Sequence, residues 1–283
     1  MALVRFGVDP RSDQLVRRKG GADRVDFVVA RSTFLAWPRG TGLRTIVANT
    51  AKAHPGATFI PYAWHYLTHE SSDGMAKLAA RTLPGSPHGF GHLRETPEVE
   101  SAWASIFGAM ESAGVTALIL KTPPSFSPSS ANQQRLATFV KKMSDQGISA
   151  IWQPEGLWTS ERAAQVADEL NIPMITTCMG ASGRVVLPTQ VRWLRVDGEV
   201  PARHADALAY DLAETIEANG LVNGLPPVVI FGGDAAYGNL RSFVRACEAY
   251  GLLEDSGHED EDDDDEFDEN DDLGDEDDDD DDD

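Results

Sequence analysis

Four side chains in this sequence, His69, Glu155, Arg195 and Asp197, have the types and placing to move protons on a polar substrate. Glu155 and Asp197 read as a general acid and base, because two carboxylates can divide those roles when their surroundings differ. His69 supplies an imidazole that titrates near neutrality. Arg195 supplies a permanent charge and a fork of donors, and it could equally pair with one of the carboxylates. Chemistry centred on this set would be hydrolytic or isomerising.

A second group reads as ligand contacts: Asp9, Thr33, Trp37, His65, Lys121, Trp158, Asp234 and Asn239. Charged hydrogen bonds with tryptophan faces suit a polar, ring-shaped ligand such as a sugar or nucleoside. Lys121 could be a Schiff-base amine or a lysine that snorkels to a rim. Gly232-Gly233 could present backbone N–H groups to a phosphate or simply make a tight turn. His65 and His69 stand four apart, a spacing that converges on a metal only on a helix. Because Thr58–Ala63 before them reads as strand, the first reading is hydrogen-bonding histidines with no metal ligands assigned, and the alternative is a metal-dependent hydrolase or isomerase using His65 and His69 with Glu155 or Asp197. No cofactor is identified. There is no GxSxG, HExxH, GxGxxG or phosphate-loop motif.

Eight short apolar runs would deliver these residues: Val4–Asp9, Val25–Ala30, Thr58–Ala63, Thr116–Lys121, Ser149–Gln153, Pro173–Thr177, Val191–Asp197 and Pro227–Phe231. Their near-continuous apolarity fits parallel strands covered on both faces. Amphipathic spacing predicts helices over Leu43–Ala53, Glu98–Ala113, Ser130–Asp145, Ser160–Leu170, His204–Ala218 and Gly238–Tyr250. Thr159 is a natural N-cap, and Gly114 and Gly147 are natural stops. Arg11–Gly21 and Cys178–Pro188 read as loops, and Arg81–Pro97 as an insertion that could form a lid. Eight strands with helical crossovers in about 250 residues is the count of a single (β/α)8 barrel, whose function sits at the C-terminal ends of its strands.

The chain has 283 residues and a formal net charge of −22. Glu254–Asp283 holds 23 of the 46 acidic residues and no Lys or Arg, which leaves residues 1–253 with 23 acidic against 24 basic side chains. A near-neutral body argues against direct nucleic-acid binding. The polyacidic segment reads as a disordered tail following the barrel, able to engage basic protein partners. Cys178 and Cys247 read as buried free thiols. No secretory signal or membrane span is apparent, so the expected location is cytoplasmic.

Several segments taken together resemble the YecE-like family, also called DUF 72. Ser32-Thr-Phe34 with Trp37-Pro38 resembles its "sTFY…P" element, and Leu67-Thr68-His69 resembles the close of its third strand. Leu120-Lys-Thr-Pro-Pro-Ser-Phe126 resembles "LQLPPSF", Trp158 falls where "EfRhpsW" ends, Trp193–Gly198 resembles "yvRlHG", and Val229–Phe231 resembles the start of "vyFNN". The resemblance implies a TIM-barrel-like fold over residues 4–250 and no general activity. The polar residues that match are Thr33, Thr68, His69 and Arg195. Elsewhere the mouth departs from the family pattern: Tyr62 stands for a lysine, Trp152 and Pro154 for a Glu and an Arg, Asp197 for a His, and Gly232-Gly233 for two asparagines.

Overall fold

The structure is a computed structural model describing residues 4–10, 24–75, 83–177, 192–196, 202–219 and 226–253. Its strands are β1 (Arg5–Asp9), β2 (Phe27–Ala30), β3 (Thr58–Pro61), β4 (Ala117–Lys121), β5 (Ser149–Gln153), β6 (Ile175–Thr177), β7 (Trp193–Val196) and β8 (Val228–Gly232). All pair in parallel. Six run in the order β3-β2-β1-β8-β7-β6, and β4 pairs with β5. Two bridges complete the ring. Tyr62 pairs with Ile119, where the Ala63 N–H donates to the Ile119 carbonyl at 2.8 Å, and Trp152 pairs with Met174, where the Trp152 N–H donates to the Pro173 carbonyl at 2.8 Å. Every strand therefore has two neighbours, as a (β/α)8 barrel requires.

Alternation along each strand separates two cores. Phe27, Val29, Ile60, Ile119, Ile151 and Ile230 face inward and fill the barrel. Val28, Phe59, Leu118, Leu120, Leu194 and Val229 face outward against the helices. Both faces are buried, which is why the strands read as continuous apolar runs. The interior is tight enough that a Cβ on Gly7 would come within 2.9 Å of the Ile230 side chain.

The outer layer contains α1 (Ser32–Leu35), α2 (Gly42–Ala53), α3 (His65–Thr68), α4 (Pro97–Ala113), α5 (Ser130–Asp145), α6 (Ser160–Glu169), α7 (Ala202–Asn219) and α8 (Ala236–Ala249). Helix α4 starts where the Thr96 hydroxyl accepts from the Val99 N–H, with Pro97 behind it, and stops at Gly114 with φ 69°. Its Val99, Trp103, Ile106 and Met110 make the buried face. Ser129 and Thr159 cap α5 and α6 in the same way. Cys247 of α8 is buried and free, and burial first, then Glu248, pushes its thiol up to about 12. No described helix is long and apolar enough to cross a membrane.

The structure departs from expectation just after β3. No helix is expected at His65 and His69, yet these residues wind into the single turn α3, in which the His69 N–H donates to the His65 carbonyl at 2.7 Å. Arg11–Gly21, Cys178–Pro188, Cys178 itself, Asp197 and the acidic segment 254–283 lie outside the described residues.

Candidate functional site at the barrel mouth

The inward-facing positions at the C-terminal ends of the strands are polar, and they touch. Arg195 on β7 donates from Nη2 to Asp9 Oδ2 on β1 at 2.6 Å, and from Nη1 to the Tyr62 hydroxyl at 2.9 Å. Tyr62 donates in turn to Gln153 Oε1 on β5 at 2.7 Å. The other Asp9 oxygen accepts from the Arg31 N–H at 3.0 Å. This chain of hydrogen bonds spans the barrel from β1 to β5 and closes it like a floor. Arg195 is 0% exposed and Asp9 3%. Burial pushes the Asp9 carboxyl pKa up, while the Arg195 guanidinium and the Arg31 N–H pull against that rise. Arginine stays protonated in proteins, so an ionised Asp9 keeps the pair neutral.

Above the floor, Lys121 at the end of β4 meets Glu155 in the loop after β5, Nζ to Oε1 at 2.9 Å, with side chains 13% and 36% exposed. Lys121 Nζ also lies 5.5 Å from the centre of the Phe34 ring, and the His69 ring meets the same phenyl edge-on at 4.9 Å. His69 Nδ1 is 2.8 Å from the Thr68 hydroxyl. Burial, then the charge of Lys121, then His65 and His92, bring His69 down to about 3. At neutral pH it is therefore an uncharged imidazole, able to hydrogen-bond but holding no proton to give as an acid.

Beside this rim the insertion folds back on α3. The N–H groups of Gly91, His92 and Leu93 donate to the carbonyls of Tyr66, Thr68 and Leu67. Gly91 has φ 86°, and a Cβ there would lie 2.5 Å from the His69 carbonyl, so only glycine allows this approach. His92 and Leu93 follow with φ 53° and 51°, strained for residues with side chains. The strain aims His92 between two carboxylates. Its Nε2 is 2.9 Å from the Ser125 hydroxyl, which donates to Asp73 at 2.8 Å, and its Nδ1 is 3.4 Å from Glu70, itself paired with Arg94. The segment expected as a lid thus contributes a wall, joined through Ser125 to the loop after β4.

Of the four residues expected to react, the structure brings His69 and Glu155 to the rim around Lys121. Arg195 is sealed beneath the mouth, its guanidinium engaged with Asp9 and Tyr62, and so positions the floor instead of facing solvent. Asp197 lies outside the described residues, and Glu155 meets Lys121. Thr33 is buried, its hydroxyl 2.8 Å from both the Ala30 and Tyr62 carbonyls, which fastens α1 to β3. Trp37 lies in the layer between barrel and helices. Trp158 packs edge-on against Trp152 at 4.8 Å and donates to the Phe126 carbonyl at 2.7 Å. Asp234 is exposed in the turn after β8, and Asn239 is buried on α8. Gly232 ends β8, and the Gly233 N–H donates to the Asp9 carbonyl at 3.2 Å, so it is committed to the barrel and not held out for a phosphate.

Among the described residues, no three or more His, Cys, Asp or Glu side chains are placed to hold one metal ion. Tyr62, in the middle of the floor, was not among the expected site residues, although counting alternate positions along β3 points it inward, as the same count along β5 does Gln153. His92, Asp73 and Ser125 carried no such signal, since they meet only through folding of the insertion.

Solved structures share this architecture. A DUF72 family protein from Enterococcus faecalis V583 aligns over 88% of this chain and 98% of its own, with a TM-score of 0.52 at 13% identity. A DUF72 family protein from Thermotoga maritima MSB8 aligns over 87% of this chain and 99% of its own, with a TM-score of 0.50 at 14% identity. The chain has the DUF72 fold. The resemblance seen in its motifs is thereby borne out at the level of architecture. No family model matches the sequence, and no curated protein matches it. Within the DUF72 fold, the floor and rim described above are built from this chain's own side chains, including Tyr62 where the family pattern has a lysine.

Proposed function

We propose that the protein binds a small polar ligand, sugar-, nucleotide- or phosphate-containing, at the C-terminal mouth of the barrel. The observation that carries this reading is the Lys121–Glu155 pair, partly exposed at the rim above a floor of buried, mutually satisfied polar groups. A partly exposed ion pair contributes only about 0–1 kcal/mol to stability. Its place at the strand ends, where barrels keep their function, supports a role in shaping a polar surface. Lys121 offers an anionic group a charge, Glu155 accepts from hydroxyls, and neutral His69 lies close by. A phosphate would meet Lys121 in preference to the committed N–H of Gly233.

The test is a thermal-shift screen of polar metabolites against the intact chain and against Lys121→Ala, Glu155→Ala and His69→Ala. A ligand that stabilises the wild type should lose most of its shift in at least the first two variants. Full retention of the shift in all three would remove the mouth as the site.

A second reading rests on composition. The 23 carboxylates of Glu254–Asp283 form a polyanion that would attract basic proteins through salt-sensitive contacts. Pull-downs with residues 1–253 and with the full chain decide it, and identical partner lists would sink it.

A further inference from the structure

Next to the mouth, between α3 and the insertion, lies a cavity of about 90 Å³. Its walls include the rings of Tyr66 and Phe90, with Leu83 and Pro87, and two histidines, His65 and His69. His65 is 2% exposed. Its Nδ1 is 3.0 Å from the Phe34 carbonyl, while its Nε2 is buried with no hydrogen-bond partner. A buried polar atom left without a partner costs about 1–3 kcal/mol, so the unpaired Nε2 of a histidine that lines the cavity favours an occupant able to reach it.

The bonding of the ring says what that occupant must offer. A carbonyl can only accept, so the Phe34 contact places the His65 proton on Nδ1. Burial lowers the His65 pKa, against the Phe34 hydrogen bond, and the ring is neutral at ordinary pH. Its Nε2 is then a bare lone pair, and the partner it lacks is a donor. The rest of the lining fixes the remaining chemistry. Among the described residues that line the cavity there is no Lys or Arg, His69 is uncharged, and Glu70, the one charged side chain, is already paired with Arg94. An anion would meet no counter-charge among these described residues. Aromatic and aliphatic walls favour an apolar ring, and the volume limits it to about a single one by comparison with the ~150 Å³ cavity known to take benzene.

We propose that this cavity is a binding site for a small, uncharged, single-ring compound presenting one O–H or N–H donor to His65 Nε2. The site is separate from the polar mouth. Among the described residues it shares His69 with the mouth, and it calls for a ligand of different chemistry.

Phenol, toluene and benzoate are the probes: the same ring with a donor, without one, and with a negative charge. They are titrated into the full chain carrying isotope-labelled histidine, following the His65 imidazole resonances. Phenol should perturb His65 saturably, and bind at least about tenfold more tightly than toluene. Benzoate should show no saturable effect. His65→Asn keeps a donor for the Phe34 carbonyl but removes Nε2, and should erase the preference for phenol over toluene. Equal binding of phenol and toluene, binding of benzoate, or an unchanged preference in His65→Asn would overturn the proposal. If that variant fails to fold, the three-probe comparison on the wild type still decides. Loss of Lys121 leaves the phenol result untouched, so the two sites fail or stand separately.

Discussion

His69 illustrates how strongly this fold reshapes an ordinary side chain. Its pKa of about 3 lies below the ~6.5 of an unfolded histidine, so the unfolded chain binds the proton first. Its contribution is fully present above pH ~6.5 and is lost as pH falls from there toward 3, with a slope of up to ~1.4 kcal/mol per pH unit. Urea denaturation between pH 7 and 4.5 should show this loss, and His69→Gln should flatten it. An equal slope in the variant would mean that other groups carry the effect. The floor makes a second residue-scale prediction. Tyr62→Phe leaves Gln153 and Arg195 each short of a partner and should cost about 1–3 kcal/mol. Arg195→Met strands the Asp9 carboxylate and should cost about 3–5 kcal/mol, measured by chemical denaturation. Asp9 was legible as the polar end of an apolar run, Arg195 as a charge inside one, and His69 as a polar residue a few positions beyond one. Their partners were not, because a run of sequence gives the direction of a side chain but not the one that meets it across a barrel. Tyr62 in particular drew notice only as a replacement for a lysine.

Among the elements, the long amphipathic helices and the strands were legible because two-sided burial and the 3.6-residue period mark them. Ser130–Asp145 stands as spacing predicts, and Thr159 caps α6 as its type suggests. The single turn α3 escaped notice because four residues carry no period. It matters for the site, since it brings His65 and His69 to one cavity. Gly91 holds the insertion against that turn. Gly91→Ala would force a Cβ into the His69 carbonyl at a positive φ, and should destabilise the protein by more than the ~1 kcal/mol of an ordinary glycine replacement. Thr96→Ala, which removes the cap of α4, should cost about 1 kcal/mol and leave the His69 environment unchanged. Denaturation midpoints and histidine resonances separate the two effects: only the glycine variant should move both.

For the whole molecule, the count of eight apolar runs was enough to foresee a barrel, and the pairings close it. The acidic segment could be recognised only as composition. Removing Glu254–Asp283 changes the formal charge from −22 to +1, and we expect it to abolish salt-sensitive retention on an anion exchanger while leaving the melting temperature of the barrel unchanged. What barrel geometry adds beyond sequence is a mouth with a sealed polar floor, a charged rim at Lys121 and Glu155, and neutral His69 beside it. Ligand binding at that mouth is the central claim. Its most direct measurement is a crystal structure of the full chain soaked with the strongest stabiliser from the metabolite screen. The account predicts the ligand within hydrogen-bonding distance of Lys121 or Glu155, at the C-terminal ends of β4 and β5. A ligand ordered elsewhere, with the Lys121–Glu155 pair unbroken and untouched, would contradict it.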